Sequence, residues 1–277
     1  MKIAGKVIVV TGGGSGMGRE LVLQLLRRGA RVVTVDVNEA ALHETAALAN
    51  AGDALSTFVL DVADRAAVEA FATEAIARSG GVDGVINNAG IIQPFVRIKD
   101  LEWGAIERVM NVNWVGTLAM TKAFLPHLLQ RPEGHIMNIS SMGGFLPVPG
   151  QAIYGASKAA VKLMTEALYA ELQGTTVHVT IVFPGAVATN ISSNSGVKMD
   201  LPAEDEAKKS SLKPLPADKA AAMMLDGMEA NAFRVLVGND ANFLDKLYRL
   251  TPRRAVVFIA GQMKQLLKEA GRSSSSS

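Results

Sequence analysis

The sequence predicts an α/β fold: a doubly wound parallel sheet of about seven strands flanked by helices, with extra helices near its C-terminal end. Three observations predict it. Short runs rich in Val and Ile alternate with longer amphipathic stretches from residue 6 to residue 238. The connections between them are short, so successive strands run parallel through right-handed crossovers. Chemically distinctive residues fall where strands end, at Gly12, Asp36, Asp61, Asn88, Ser141 and Pro184. Ligands bind at that edge of an open parallel sheet.

The elements follow in order. Lys6 to Val10 begins a fully buried strand over 6–11. Thr11-Gly12-Gly13-Gly14-Ser15-Gly16-Met17-Gly18 then leads into a helix over 17–29, with Leu21, Leu25 and Leu26 apolar. Glycines let backbone approach a pyrophosphate, and the helix N-terminus supplies unpaired N–H groups and a favourable dipole. The spacing of Gly12, Gly16 and Gly18 is G-x-x-x-G-x-G. A second strand, 31–36, ends on Asp36, placed to bind adenine ribose hydroxyls. A carboxylate there repels a 2′-phosphate, and no Arg or Lys lies at 12–18 or 36–42. Arg19 stands next to the turn. NAD is therefore expected, with NADP the less favoured cofactor.

Further strands read at 56–61, 83–87, 134–140, 177–183 and 234–238. Further helices read at 39–51, 65–79, 101–129, 152–173 and 216–230. On the 152–173 helix, Tyr154 and Lys158 lie one turn apart on one face. A free phenol titrates near 10, and a neighbouring ammonium favours its phenolate. That pair suits a general acid/base acting on an alcohol, although such spacing alone is common on helices. Residues 190–215 are polar and punctuated by Pro202 and Pro214. They read as a solvated loop or, from their place after Thr189, as a substrate lid. Asn242–Leu250 and Pro252–Glu269 read as helices of a C-terminal extension spanning about 239–271. Residues 1–272 are expected to form one domain, with the Ser273–Ser277 run a disordered tail.

These motifs resemble, in order and spacing over residues 4–190, the classical short-chain dehydrogenase/reductase family, which has a Rossmann-type fold. Thr11-Gly12 with Ser15-Gly16-Met17-Gly18 is similar to its cofactor turn. Asp61-Val62 resembles its adenine contact, and Asn88-Ala89-Gly90 its signature after the fourth strand. Pro184-Gly185-Ala186-Val187-Ala188-Thr189 resembles its segment under the nicotinamide. Asn113, Ser141, Tyr154 and Lys158 match its catalytic set. The resemblance implies an NAD-dependent alcohol dehydrogenase or carbonyl reductase. Tyr154 would move the proton, and Ser141 would hold the substrate oxygen. Lys158 would lower the Tyr154 pKa and grip the nicotinamide ribose. Asn113 would hold a water linking Lys158 to solvent. Ser140, one residue out of register, is expected to be structural. The resemblance also implies a homodimer or homotetramer. Leu118, Met120, Phe124, Leu163, Met164 and Leu168 read as a surplus apolar face on the two pairing helices.

Composition narrows the classes. Net charge is +2 with dispersed Lys and Arg, so nucleic-acid binding has no footprint. The chain has no cysteine, which excludes disulfides and thiolate zinc sites. His43, His127, His135 and His178 show no ligand spacing and are expected at the surface or at helix ends, so no metal is expected. No apolar stretch reaches membrane-span length and no signal peptide opens the chain, so a cytoplasmic location is expected. The pocket wall reads as apolar, from Ile92, Pro94, Phe95, Met142, Phe145, Leu146, Val148 and Ile191. A lipophilic secondary alcohol or its ketone is the expected substrate. Two other readings stay open: a non-catalytic NAD(P)-sensing protein on the same fold, and an NADP-dependent carbonyl reductase.

Overall fold

A computed structural model describes residues 1–197 and 214–262. Seven parallel strands form one sheet: β1 (Val7–Thr11), β2 (Arg31–Asp36), β3 (Leu55–Val59), β4 (Gly84–Asn87), β5 (Gly134–Ile139), β6 (Val177–Pro184) and β9 (Arg234–Val237). Their spatial order is β3-β2-β1-β4-β5-β6-β9. Between them run α1 (Gly16–Arg27), α2 (Glu39–Ala49), α3 (Arg65–Ser79), α4 (Trp103–Met110), α5 (Thr117–Leu128), α6 (Ala152–Glu171) and α8 (Ala217–Glu229). Two small strands, β7 (Val187–Ala188) and β8 (Leu215–Pro216), pair with each other, and α7 (Ile191–Asn194) is a single turn. The extension is α9 (Asn239–Leu250) and α10 (Pro252–Gln262).

The sheet is covered on both faces because its strands are apolar on both. Successive side chains of β1 point opposite ways. Ile8 and Val10 join Leu21 and Leu25 of α1 and Met224 and Leu225 of α8. Val7 and Val9 join Phe71 of α3, Phe124 of α5 and Leu168 of α6. Local chemistry starts the helices where the sheet needs them. Asn38 accepts from Ala41 N and Asp64 from Ala67 N, each capping the helix that follows. Gly80 ends α3 at φ 68°, a left-handed position that glycine takes without strain.

Four expectations need correction. The helix expected over 101–129 is interrupted by a π turn, Asn111–Gly116, between α4 and α5. His135 is not a surface residue. It lies in β5 with no exposure, and its Nε2 is 2.9 Å from Thr180 Oγ1. The surplus apolar face is smaller than expected: Met120, Phe124 and Leu168 fill the monomer's own core, while Leu163 is 68% exposed. The interior side of α5 and α6 faces a sheet that is itself apolar, so their broad apolar surface is consumed within the chain. The first extension helix begins at Asn239, three residues before Asn242. Residues 198–213 of the expected lid, the end of the extension, and the serine tail lie outside the described residues.

Burial pulls the His135 pKa down from 6.5 to about 3, so the ring folds neutral. The unfolded chain binds that proton below about 6.5 and the folded chain does not, so this stability is present above pH 6.5 and is lost as pH falls toward 3. The expected loss is about 1.4 kcal/mol per pH unit from this group. His135→Gln should flatten the fall in urea-unfolding free energy between pH 6.5 and pH 4.5. An unchanged slope would contradict a buried neutral ring.

Candidate active site

The turn after β1 sets the first wall. Gly12 and Gly16 have φ of 71° and 53°, which only glycine adopts cheaply. Gly12 N and Gly13 N both donate to Val35 O, at 2.8 and 3.1 Å, which folds the turn against β2. A side chain at Gly18 would collide with the Gly12 carbonyl, so α1 can start this close only with glycine there. The Thr11 hydroxyl accepts from Asn88 N at 3.0 Å and Ala89 N at 2.9 Å. Asn88 Nδ2 returns a bond to Thr11 O at 3.0 Å. The ends of β1 and β4 are thereby locked together.

Beside this lock opens a cleft of about 300 Å³. Gly12, Ser15, Gly16, Met17, Gly18, Asp36, Asp61, Val62, Asn88, Ala89, Gly90 and Thr189, all singled out from sequence, line it. Asp36 is among them. Its Oδ2 accepts from Gly14 N at 3.0 Å and its Oδ1 from Asn38 N at 3.0 Å. Arg19 points away into other bonds, to Gly14 O and to Glu44, the latter at 2.7 Å. Pro184, Gly185 and Val187 do not line this cleft. Pro184 is paired in β6, Gly185 donates to Val237 O, and Val187 lies in the small ladder with Leu215. Sequence reasoning missed Asn194, whose Nδ2 donates to Ser15 Oγ at 2.7 Å across the cleft mouth. No sequence signal marks that pairing, because the two residues are 179 apart.

Past Gly90 lies a second cluster. Lys158 Nζ and Asn113 Oδ1 crowd Gly90 so closely that a Cβ there would sit 3.1 and 3.3 Å from them. Ser141 follows β5, and its Oγ accepts from Gly143 N at 3.0 Å. The Tyr154 phenol hydrogen-bonds the Ser141 side chain. Asn113 Oδ1 accepts from Ile91 N at 2.8 Å, and its Nδ2 donates to Ile91 O and Ser157 Oγ. Ser157 Oγ in turn donates to Tyr154 O at 2.7 Å. Asn113 sits in the π turn, a distortion that often marks functional positions. Ser140 is structural, with its hydroxyl donating to Lys158 O at 2.7 Å. Structure thus gathers Asn113, Ser141, Tyr154 and Lys158 from three separate segments: the π turn, the loop after β5, and α6.

The electrostatics differ from the expectation for the Tyr154–Lys158 pair. Burial raises the Tyr154 pKa above 10, and the Ser141 hydrogen bond offsets part of that rise. Burial lowers the Lys158 pKa to about 8, and its Nζ donates to Ile139 O at 2.9 Å. Desolvation is the largest cause at both groups, and the Lys158 charge is not among the causes acting on Tyr154. Gln93 is the other residue that sequence reasoning passed over. Its fully buried Oε1 accepts from Ile153 N at 2.8 Å and Tyr154 N at 3.0 Å, at the start of α6. Its Nε2 donates to Gly150 O, and Gln151 Nε2 donates to its carbonyl at 2.8 Å. The available signal was a lone amide in the apolar run Ile91-Ile92-Gln93-Pro94-Phe95.

Fold and site together define a nucleotide-binding α/β oxidoreductase. The chain belongs to the short-chain dehydrogenase family, whose sequence profile, described as short chain dehydrogenase, matches residues 6–200. It is 39% identical over 251 residues to the protein SadH of Mycobacterium tuberculosis, covering 89% of this chain and 91% of that one. It is 33% identical over 215 residues to 2-(S)-hydroxypropyl-CoM dehydrogenase 3 of Xanthobacter autotrophicus, covering 77% of this chain and 84% of that one. A short-chain dehydrogenase/reductase of Burkholderia phymatum in complex with NAD superposes with a TM-score of 0.80 at 28% identity, over 90% of this chain and 96% of that one. A short-chain dehydrogenase of Burkholderia cenocepacia in complex with NADP superposes at 0.78 and 28% identity, over 94% and 99%. Among the described residues, no helix is long and apolar enough to cross a membrane, and no cluster of His, Cys, Asp or Glu could hold a metal.

Gln93 generates the prediction for this site. Gln93→Ala leaves the Ile153 and Tyr154 N–H groups unpaired, which should cost about 1–3 kcal/mol of stability in urea titration. Gln93→Glu keeps an acceptor and should recover part of that loss. Equal stability of Gln93→Ala and the unmutated protein would exclude the capping role.

Proposed function

We propose that the chain is an NAD-dependent dehydrogenase that interconverts a lipophilic secondary alcohol and its ketone. The observation that carries this reading is the Tyr154–Ser141 pair, with Lys158 against Gly90, which lines a cleft that Asp36 also lines. The residues fit a dinucleotide. A side chain at Gly16 would press on Thr189 across the cleft, at 3.3 Å, so glycine keeps that space open. The start of α1 offers backbone N–H groups toward it. Asp36 would take the adenine ribose, and its charge would repel a 2′-phosphate. Asp61 and Val62 would flank the adenine, while Asn88, Ala89, Gly90, Pro184, Gly185, Val187 and Thr189 would support the nicotinamide half.

The chemistry that a nicotinamide nucleotide supplies when bound is hydride acceptance or donation. The chain's own residues handle the proton. In reduction, the Tyr154 phenol, protonated at neutral pH, donates to the substrate oxygen while Ser141 holds that oxygen. In oxidation, Tyr154 would first release its own proton to solvent, with a charged Lys158 favouring the phenolate. The phenolate would then take the hydroxyl proton of the alcohol as hydride leaves its carbon for the nicotinamide. Asn113 keeps the Ile91 and Tyr154 backbone fixed around that path. Met142, Phe145 and Leu146, which follow Ser141, pack with Leu244, Ala255 and Ile259 and bring no charged group to that flank, which supports an uncharged substrate. The described residues flanking the expected lid are held in place: β7 pairs with β8, and Ser195 Oγ accepts from Ile92 N at 2.9 Å. A homodimer through α4, α5 and α6 fits Trp103 and Leu163, which are 75% and 68% exposed.

The direct test is absorbance at the NADH band with a panel of secondary alcohols and ketones, offering NAD and NADP separately. Turnover with none of them, together with tight NADH binding, would favour the non-catalytic sensor. Tyr154→Phe is expected to lower turnover about 10²–10⁴-fold with NADH affinity nearly unchanged. Substantial residual turnover would remove Tyr154 from its role. Lys158→Met is expected to impair both rate and NADH affinity.

Cofactor choice supplies a separate prediction. Asp36→Ala combined with Val37→Arg removes the repelling carboxylate and adds a phosphate partner. The ratio of kcat/KM for NADP to that for NAD should rise about tenfold or more. Preference for NADP in the unmutated enzyme would refute the charge reading of Asp36.

A further inference from the structure

The extension helix α9 reaches both arms of the proposed site. Asp240, in its first turn, does not cap its own helix. Its Oδ2 accepts from Ala186 N at 2.8 Å. Its carboxylate also lies against Gly185, where any Cβ would collide with it, and against Gly238, whose φ of 102° favours glycine. The rest of that short segment is held from the same side: Gly185 N donates to Val237 O at 2.9 Å, and Leu215 N donates to Ala186 O at 2.8 Å. One helical turn further on, Leu244 packs with Leu146, Met142 and Phe145, the segment that follows Ser141. Asp245 then anchors the helix to β9 through Arg234 at 2.6 Å, and the Arg234 guanidinium lies over the Phe183 ring at 4.4 Å.

We propose that Asp240 is a positioning residue for the nicotinamide end of the cleft, so that α9 fixes the seat of the reacting ring. This inference rests on the reading of Pro184–Thr189 as the nicotinamide support. Asp240 touches neither substrate nor cofactor. It acts by holding the Ala186 N–H and the Gly185 backbone at one height above β6. A carboxylate suits the task because the α9 N-terminus stabilises its charge, and a charged acceptor holds an N–H more firmly than a neutral one. The C-terminal extension thereby acquires a role in cofactor binding that its distance in sequence from the glycine turn conceals.

The experiment compares two probes by titration calorimetry: NADH, and ADP-ribose, which lacks the nicotinamide. Asp240→Ala is expected to weaken NADH about tenfold while ADP-ribose affinity stays within about twofold. Asp240→Asn retains an acceptor oxygen and should fall between Asp240→Ala and the unmutated protein. Gly185→Ala, which leaves Asp240 in place but drives the segment off it, should reproduce the selective loss of NADH. It decides the matter if Asp240→Ala does not fold. Unchanged NADH affinity in the folded variants would overturn the proposal. Equal weakening of both probes would also overturn it, since that indicates a general structural role. If the unmutated protein binds ADP-ribose and NADH with the same affinity, the nicotinamide makes no contact and the proposal fails alone. If it binds neither probe, the dinucleotide reading itself fails.

Discussion

The hydroxyl of Thr11 accepts two backbone N–H groups, those of Asn88 and Ala89, and the whole site depends on that lock. The chain leaves β1 toward β2 on one side and leaves β4 toward β5 on the other. Connections diverging from adjacent parallel strands open a crevice between them. Without a tie, the crevice between β1 and β4 would vary in width with every motion of its loops. The tie fixes the glycine turn relative to Asn88-Ala89-Gly90, and Gly90 in turn abuts Lys158 and Asn113. The cleft and the Asn113, Ser141, Tyr154 and Lys158 cluster are therefore in direct contact through Gly90.

Buried polar chemistry extends this rigidity through the core. Asn87 Nδ2 donates to Asn138 Oδ1 at 2.8 Å, and Asn138 Nδ2 donates to Thr165 Oγ1 at 2.9 Å. Each such bond contributes about 1 kcal/mol net, but leaving a buried partner unpaired costs about 1–3 kcal/mol. The chain of bonds thus penalises any shift of α6 along the sheet. Gln93 acts at the other end of the same helix by occupying its first N–H groups. Tyr154 and Lys158 are held by a helix fixed at its start and along its length.

The electrostatics of Tyr154 and Lys158 follow from the same burial. Packing that fixes Lys158 also desolvates it, which lowers its pKa to about 8 and raises that of Tyr154. Burial that holds both side chains in place also makes each harder to ionise. The extension adds a second layer of constraint. It brings α9 against the segments after β5 and β6, so that both share one support.

The sequence by itself determined the sheet, its seven strands and the residues at their carboxyl ends. Val-rich runs of strand length admit few alternatives, and the glycine turn, Asp36 and the Tyr154–Lys158 spacing carry their chemistry locally. The helix ends at Asn38, Asp64 and Gly80 are local in the same way. Only the tertiary structure decided what depends on residues distant in the chain. Gln93 capping α6, Asn194 meeting Ser15 and Asp240 seating Ala186 join segments with no shared periodicity. The burial of His135 and Phe124, and the dominance of desolvation at Tyr154, were decided the same way. Burial and dielectric belong to the assembled fold, and no short stretch of sequence contains them.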